Sequence, residues 1–346
     1  MNHLRRHLLS VVAVLSLAVL VVALPAHSRT ALFSPDQTQI DGRPVYAEIH
    51  RASADRPVVI LLNGLIYDIS RWNPVAEQLA QSDLTVIKMS FSAQPESLAL
   101  SGNEHAPAPE FLERGLSLND LANEIEAVLH YFKIAKPVTI VGLSYGAAAA
   151  TQFALTHPKQ IDHLLLLSPL VVPLDTYDPS GQHLRQWLSG VRLWESATCA
   201  LYGWLNPWLC QSEDYWYDSF YNSIYENYLF VRVQRTPDGI NPLTYKKAVF
   251  HLVRAVRDFN LKTLAPKLTN VHMVIAEGDD QPLKKDQMTT WARIKKSARR
   301  SIAHFTGVVH AVPDEAPVTT ADWINRVATG DTELTGGSEF NVNAAR

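Results

Sequence analysis

Gly142-Leu143-Ser144-Tyr145-Gly146 sets one serine between two glycines, straight after the apolar run that begins at Pro137 and straight before the small residues Ala147–Ala150. A serine at such a strand-to-helix bend lifts its hydroxyl above the carboxyl edge of a sheet, and flanking glycines leave room for the bend. That is a nucleophile's position. Serine alone is a weak nucleophile; it needs a base for its proton and a carboxylate to orient that base. For the base, F-T-G-V-V-H-A-V-P-D-E-A-P offers His310, on a loop between a strand pattern at Ser301–Thr306 and a helical pattern near Val318–Val327. His304 is the rival, but it lies inside the strand pattern, where a structural histidine is the simpler reading. For the acid, V-I-A-E-G-D-D-Q-P-L ends a strand with two carboxylates. Asp279 leaves the strand first and is favoured; Asp280 is the alternative, and Asp175, after the preceding strand, is an outside candidate. One of the paired acids is expected to cap the next helix. A tetrahedral oxyanion needs two amide donors. The amide of Tyr145, at the helix start, is one, and L-L-N-G-L-I-Y-D places the amide of Leu65 as the other.

These residues need strands that end together on one edge. Short apolar runs recur at Val45–His50, R-P-V-V-I-L-L-N-G, L-T-V-I-K-M-S-F, P-V-T-I-V-G-L-S, H-L-L-L-L-S-P and V-H-M-V-I-A-E-G. Continuous runs without period-two alternation fit strands buried on both faces of a parallel sheet. The connectors read as crossover helices. Leu118, Leu121, Ile125, Val128, Leu129 and Phe132 recur at helical spacing, and Ser117 with Asp120 forms a capping-box pattern. Alternating strand and helix predicts an α/β class with a mostly parallel, doubly wound sheet. The alternation breaks from 174 to 268, too long for a loop. That span holds Trp187, Trp194, Trp204, Trp208 and Trp216 and many tyrosines, and is expected to be an inserted helical cap. The sheet domain is thus expected to occupy 29–173 and 269–329. Residues 330–346 are polar and aperiodic and are expected to form a disordered tail.

The remaining features bound the function. The chain has 346 residues, is 47% hydrophobic and carries a formal charge of −3, which gives no reason to expect a nucleic-acid partner. A basic cluster at Lys284, Lys285, Lys295, Lys296, Arg299 and Arg300 has the spacing of a solvated helix face. Arg5 and Arg6 precede the apolar run Leu8–Leu24, and small residues follow it. Residues 1–28 therefore read as an export signal, or as an anchor with its basic end in the cytoplasm. The chain is expected in the periplasm or outside the cell, or held at the membrane. In an oxidising compartment Cys199 and Cys210 are a candidate disulfide. No HExxH, EF-hand loop or phosphate-cradling glycine loop occurs, and no metal or cofactor is expected.

With these residues in hand, the chain resembles the α/β-hydrolase fold family, in its cap-bearing esterase and lipase branch. G-L-S-Y-G, N-G-L-I…R-W and H-A-V-P-D-E-A-P carry the resemblance, the last because the family often places Glu and Pro five and seven positions after its histidine, here Glu315 and Pro317. The resemblance implies Ser144 as nucleophile, His310 as base and Asp279 as acid. The sequence departs from the family at Asn63, where His is usual, and at S-F-S-A-Q-P-E-S, where a glycine-rich turn is usual. The expected activity is hydrolysis of a small-molecule or lipid-like carboxylic ester with a hydrophobic group. Thioesterase, lactonase, amidase and acyltransferase are alternatives on the same triad, and a non-catalytic binding protein is the alternative from another class.

Overall fold

Valine-, isoleucine- and leucine-rich runs fill the centre of a nine-stranded sheet in a computed structural model that describes residues 33–40, 43–101, 109–173, 237–295 and 300–344. The strands are β1 (Ser34–Ile40), β2 (Arg43–His50), β3 (Val58–Leu62), β4 (Thr85–Ser90), β5 (Val138–Leu143), β6 (Ile161–Leu167), β7 (Val271–Ala276), β8 (Ser301–Thr306) and β9 (Ser338–Asn343). Their order is β1-β2-β4-β3-β5-β6-β7-β8-β9. Both β2 pairings are antiparallel; every other pairing is parallel. The reversal of order between β4, β3 and β5 marks where connections pass to opposite faces, and sites in such sheets lie beyond the strands' carboxyl ends near that point.

The longer helices among the described residues are α1 (Asn73–Gln81), α2 (Leu118–Tyr131), α3 (Tyr145–Thr156), α4 (Pro242–Ala255), α5 (Gln281–Arg293) and α6 (Pro317–Ala328). Strand side chains alternate between two apolar clusters. Val58, Ile60 and Leu62 of β3 share one cluster with Leu121 and Ile125 of α2, Ala148 and Phe153 of α3 and Val249 and Leu252 of α4. Val59 and Leu61 share the other with Val75 and Leu79 of α1 and Trp323 and Ile324 of α6. A strand covered on both faces must be apolar throughout, and each such side chain contributes about 1.5–3 kcal/mol by leaving water. The capping box forms as expected: the Ser117 hydroxyl accepts from the Asp120 amide at 3.2 Å, and the Asp120 carboxylate accepts from the Ser117 amide at 2.9 Å.

Three expectations need correction. The expected tail contains β9, which lies parallel to β8 at the sheet edge. In S-E-F-N-V-N only the inward side chains, Phe340 and Val342, are apolar, and they pack against the cluster holding Trp323. Part of the expected cap, 237–268, joins the sheet domain: α4 packs into the cluster under the sheet, and the Leu261 amide donates to the Val171 carbonyl at 2.9 Å. The rest of that cap, 174–236, with Asp175, Cys199 and Cys210, lies outside the described residues, as do residues 1–28. Arg300, assigned to a solvated face, is buried. Its guanidinium donates to the carbonyls of Trp291 and Ile294 at 2.9 and 2.7 Å and covers the Trp291 ring at 3.9 Å. Arginine there gives the Ile294 carbonyl a partner and the Trp291 carbonyl a second one beside the Ile294 amide. Among the described residues no helix is long and apolar enough to cross a membrane.

Candidate active site

Ser144 stands between β5 and α3 with φ 50° and ψ −105°. A non-glycine residue at positive φ carries about 1–3 kcal/mol of strain and persists only when its surroundings hold it. They do: its amide donates to the Leu167 carbonyl at 2.9 Å, and its carbonyl accepts from Ala147 at 3.1 Å and Leu170 at 3.2 Å. Serine at the first position before a helix ordinarily caps it with its hydroxyl. Here it makes no capping bond, which leaves Oγ free for another partner. The flanking glycines are steric necessities. A Cβ at Gly142 would sit 2.6 Å from the Cα and N of Ala147, and one at Gly146 would sit 2.6 Å from the Asn63 carbonyl oxygen.

Oγ of Ser144 lies 2.7 Å from Nε2 of His310, and Nδ1 of His310 lies 3.0 and 3.1 Å from the two carboxylate oxygens of Asp279. The carboxylate can only accept, so Nδ1 carries the proton and Nε2 is left to accept from the serine hydroxyl. The Asp279 side chain is 7% exposed and that of His310 44%. The acid is thus held in the protein while the imidazole is partly exposed. The loops after β7 and β8 are joined directly: the Gly278 amide donates to the Val308 carbonyl at 2.8 Å. Glu315 accepts from the Val309 amide at 2.9 Å, fixing the backbone one residue before His310.

Neither Asp280 nor His304 bonds His310 or Ser144. Asp280 is exposed at the N-cap of α5 and makes no side-chain capping bond. His304 lies with Nδ1 2.7 Å from Glu277 and Nε2 3.1 Å from Glu339, and the His304 bond, with Lys284, holds the Glu277 carboxyl below its usual range.

The turn after β3 carries Leu65. Its amide and that of Tyr145 donate to no other group among the described residues. Asn63, where the family usually has His, is fully buried and donates from Nδ2 to the Tyr67 carbonyl at 3.2 Å, closing this turn. Arg71 pairs with Asp314 at 2.9 Å and covers the Tyr67 ring at 4.6 Å, so the turn is tied to the short helix after His310. Arg71 and Asp314 each lie in a quoted pattern, N-G-L-I…R-W and H-A-V-P-D-E-A-P, but nothing in the sequence related the two positions to each other. Glu315 had one in the H-A-V-P-D-E-A-P pattern. Among the described residues no three His, Cys, Asp or Glu side chains group as metal ligands would.

A family model described as alpha/beta hydrolase fold matches residues 57–198, the region that carries Leu65, Ser144 and Tyr145. The chain has the α/β-hydrolase fold. An uncharacterised protein of Mycobacterium tuberculosis is 32% identical over 123 residues, which are 36% of this chain and 32% of that protein. The match therefore spans about a third of the curated relative's length. Among solved structures, a bacterial membrane phospholipase A is similar with TM-score 0.56 and 18% identity, over 94% of this chain and 98% of its own. An α/β-hydrolase enzyme from a Medee basin deep-sea metagenome library also has TM-score 0.56, with 16% identity over 86% of this chain and 98% of its own. The carboxylesterase CesB of Bacillus subtilis has TM-score 0.51 and 13% identity over 86% of this chain and 92% of its own. At these identities the structures speak to the fold.

Proposed function

We propose that the chain is a serine hydrolase that cleaves a carboxylic ester bearing a hydrophobic group. The observation that carries the reading is His310 bridging Ser144 and Asp279 within hydrogen-bond distance on both sides. The serine proton passes to Nε2 as Oγ bonds to the ester carbon, and the carbonyl electron pair moves onto oxygen. The amides of Leu65 and Tyr145 receive that oxyanion. Collapse of the intermediate breaks the bond to the alcohol, which takes the proton from the imidazolium, and Ser144 is left acylated. Water, deprotonated by His310, then releases the acid and restores the serine. Asp279 keeps the imidazole in the required tautomer and balances its charge.

The tryptophan- and tyrosine-rich composition of 174–236 supports an apolar group on the substrate. The exposed Val309, beside His310, adds apolar surface next to the imidazole. Two similar structures are a phospholipase and a carboxylesterase. The basic and apolar pattern of residues 1–28 supports export or anchoring.

A fluorophosphonate probe should label Ser144 in the folded wild type and leave Ser144→Ala unlabelled. p-Nitrophenyl esters of increasing chain length should be hydrolysed by the first and not by the second. Folded wild type that resists the probe overturns the reading. N-terminal sequencing of protein recovered from the producing cell tests export: a start near Arg29 supports cleavage, and retention of Met1 in a membrane fraction supports the anchor.

A further inference from the structure

S-F-S-A-Q-P-E-S, where this chain departs from the family's glycine-rich turn, contains Gln94, which is fully buried directly behind the Leu65 turn. Its side-chain amide is satisfied at both ends. Nε2 donates to the Gly64 carbonyl at 2.6 Å and the Leu65 carbonyl at 3.3 Å, while Oε1 accepts from the Phe91 amide at 3.0 Å. The orientation is chemically determined, because the flipped amide would face two carbonyls with an oxygen and an N–H with an NH2.

In a trans peptide the carbonyl of one residue and the N–H of the next point in opposite directions. The Gly64–Leu65 unit is trans, since no peptide bond among the described residues is cis. Gripping the Gly64 oxygen therefore aims the Leu65 N–H, and Gln94 grips it at the shortest distance of its two bonds. The Tyr67 amide donates to the same oxygen at 3.3 Å, a weaker second hold.

The rest of the segment holds Gln94 still. Ser92 bonds the buried Glu124 through both its amide and its hydroxyl, at 3.0 and 2.7 Å. Ser97 donates to the Ser90 carbonyl at 2.6 Å and accepts from the Tyr46 amide at 2.9 Å. Glu96 accepts from the Ile69 amide at 2.8 Å, reaching the far side of the same turn. Each polar side chain from Ser92 to Ser97 is thus committed to fixing this loop against its neighbours.

We propose that Gln94 is a positioning residue for the oxyanion site, holding the Leu65 donor in its catalytic direction without touching substrate. The inference rests on the hydrolase reading and on Leu65 as a donor. Gln94→Met keeps the side-chain length and removes both donors; Gln94→Glu keeps the acceptor and turns an anionic oxygen towards the two carbonyls. Losing a donor outright lowers kcat by roughly 10²–10³-fold, and misaiming one should lower it roughly 10- to 100-fold. On a p-nitrophenyl ester, kcat should fall by that factor in both variants with KM within about twofold, because an oxyanion contact is made only in the transition state. The affinity for phenylboronic acid, whose tetrahedral adduct with Ser144 mimics the intermediate, should fall in parallel. The pH at half-maximal rate should stay where it is, since the Ser144–His310–Asp279 bonds are not altered.

A folded variant with kcat within twofold of wild type and unchanged boronate affinity overturns the role of Gln94. So does a loss that appears in KM rather than kcat. If Gln94→Met does not fold, Gln94→Glu is read alone. Fluorophosphonate labelling separates the two readings. Wild type labelled at Ser144 beside unaffected Gln94 variants removes only this inference; unlabelled wild type removes the hydrolase reading and this inference with it.

Discussion

Asp279 and Asp280 are neighbours with the same chemistry, yet only one carboxylate meets the imidazole of His310. Leaving β7, the chain turns once, and that turn sends Asp279 inward and Asp280 to the exposed start of α5. Asp279→Asn should lower kcat by roughly 10³–10⁴-fold, because an amide no longer fixes the tautomer that leaves Nε2 free to accept. Asp280→Asn should stay within about threefold, as expected of an exposed position away from the reacting atoms. Steady-state kinetics on one ester measures both, and equal, mild effects would remove Asp279 from the acid's place. The choice between these two was legible in the sequence as a preference, from which residue leaves the strand first. His304 was legible as a strand residue; its two glutamate neighbours were not, because they come from different strand ends.

At the scale of elements, the elbow between β5 and α3 and the turn after β4 make separate demands on stability. Ser144 holds φ 50° whatever its side chain, so Ser144→Ala keeps the backbone strain and Ser144→Gly relieves it. Both should be inactive, but the glycine variant should melt higher than the alanine one, by about 1 kcal/mol after glycine's entropic cost is counted. Gly146→Ala forces a methyl against the Asn63 and Leu62 carbonyls of β3 and its turn, which are backbone and cannot swing aside. It should destabilise by about 2 kcal/mol or more. Thermal melts order the three variants, and Gly146→Ala melting with wild type would contradict the close approach. The motif announced this crowding in the sequence, because two glycines around one serine have little other use. It could not announce that Asn63 and Leu62 are what they avoid.

In the second of these elements Glu96 sets a pH dependence. Burial first, and the charge of Asp68 second, raise its carboxyl from an ordinary 4.5 to about 7. The folded chain thus holds this proton more tightly than the unfolded chain does. Stability from Glu96 is then complete below pH 4.5, is lost as pH rises towards 7, and is level above that. The slope between is at most about 1.4 kcal/mol per pH unit. Glu96→Gln keeps an acceptor for the Ile69 amide and cannot ionise, so it should raise Tm over wild type at pH 8 and leave it near wild type at pH 4.5. An equal gain at both pH values would mean that Glu96 does not titrate in this range.

For the molecule as a whole, the sheet's centre could be read from sequence and its edges could not, for one physical reason. Central strands are covered on both faces and must be apolar, as V-V-I-L-L is; edge strands are covered on one face at most and may spend every second residue on water. β9, S-E-F-N-V-N, is of this second kind. Phe340 shows what β9 contributes. Its ring meets Trp323 of α6 edge-on at 5.3 Å, and Trp323 in turn meets Phe305 of β8 at 6.3 Å. The strand therefore extends the aromatic packing under α6 as well as the hydrogen bonding of β8. Phe340 is only partly buried, so Phe340→Ala should cost about 2 kcal/mol, below the 3–5 kcal/mol of a fully buried ring. For a chain of 346 residues that is a Tm lower by roughly 3 °C. Activity of the remaining folded protein should be unchanged, since the ring partners of Phe340, Trp323 and Arg326, are on α6 and not among the residues of the Ser144 site. A melt of Phe340→Ala that superimposes on wild type would mean that β9 lies on the sheet without supporting it, and the carboxyl-terminal stretch would return to the tail its composition first suggested.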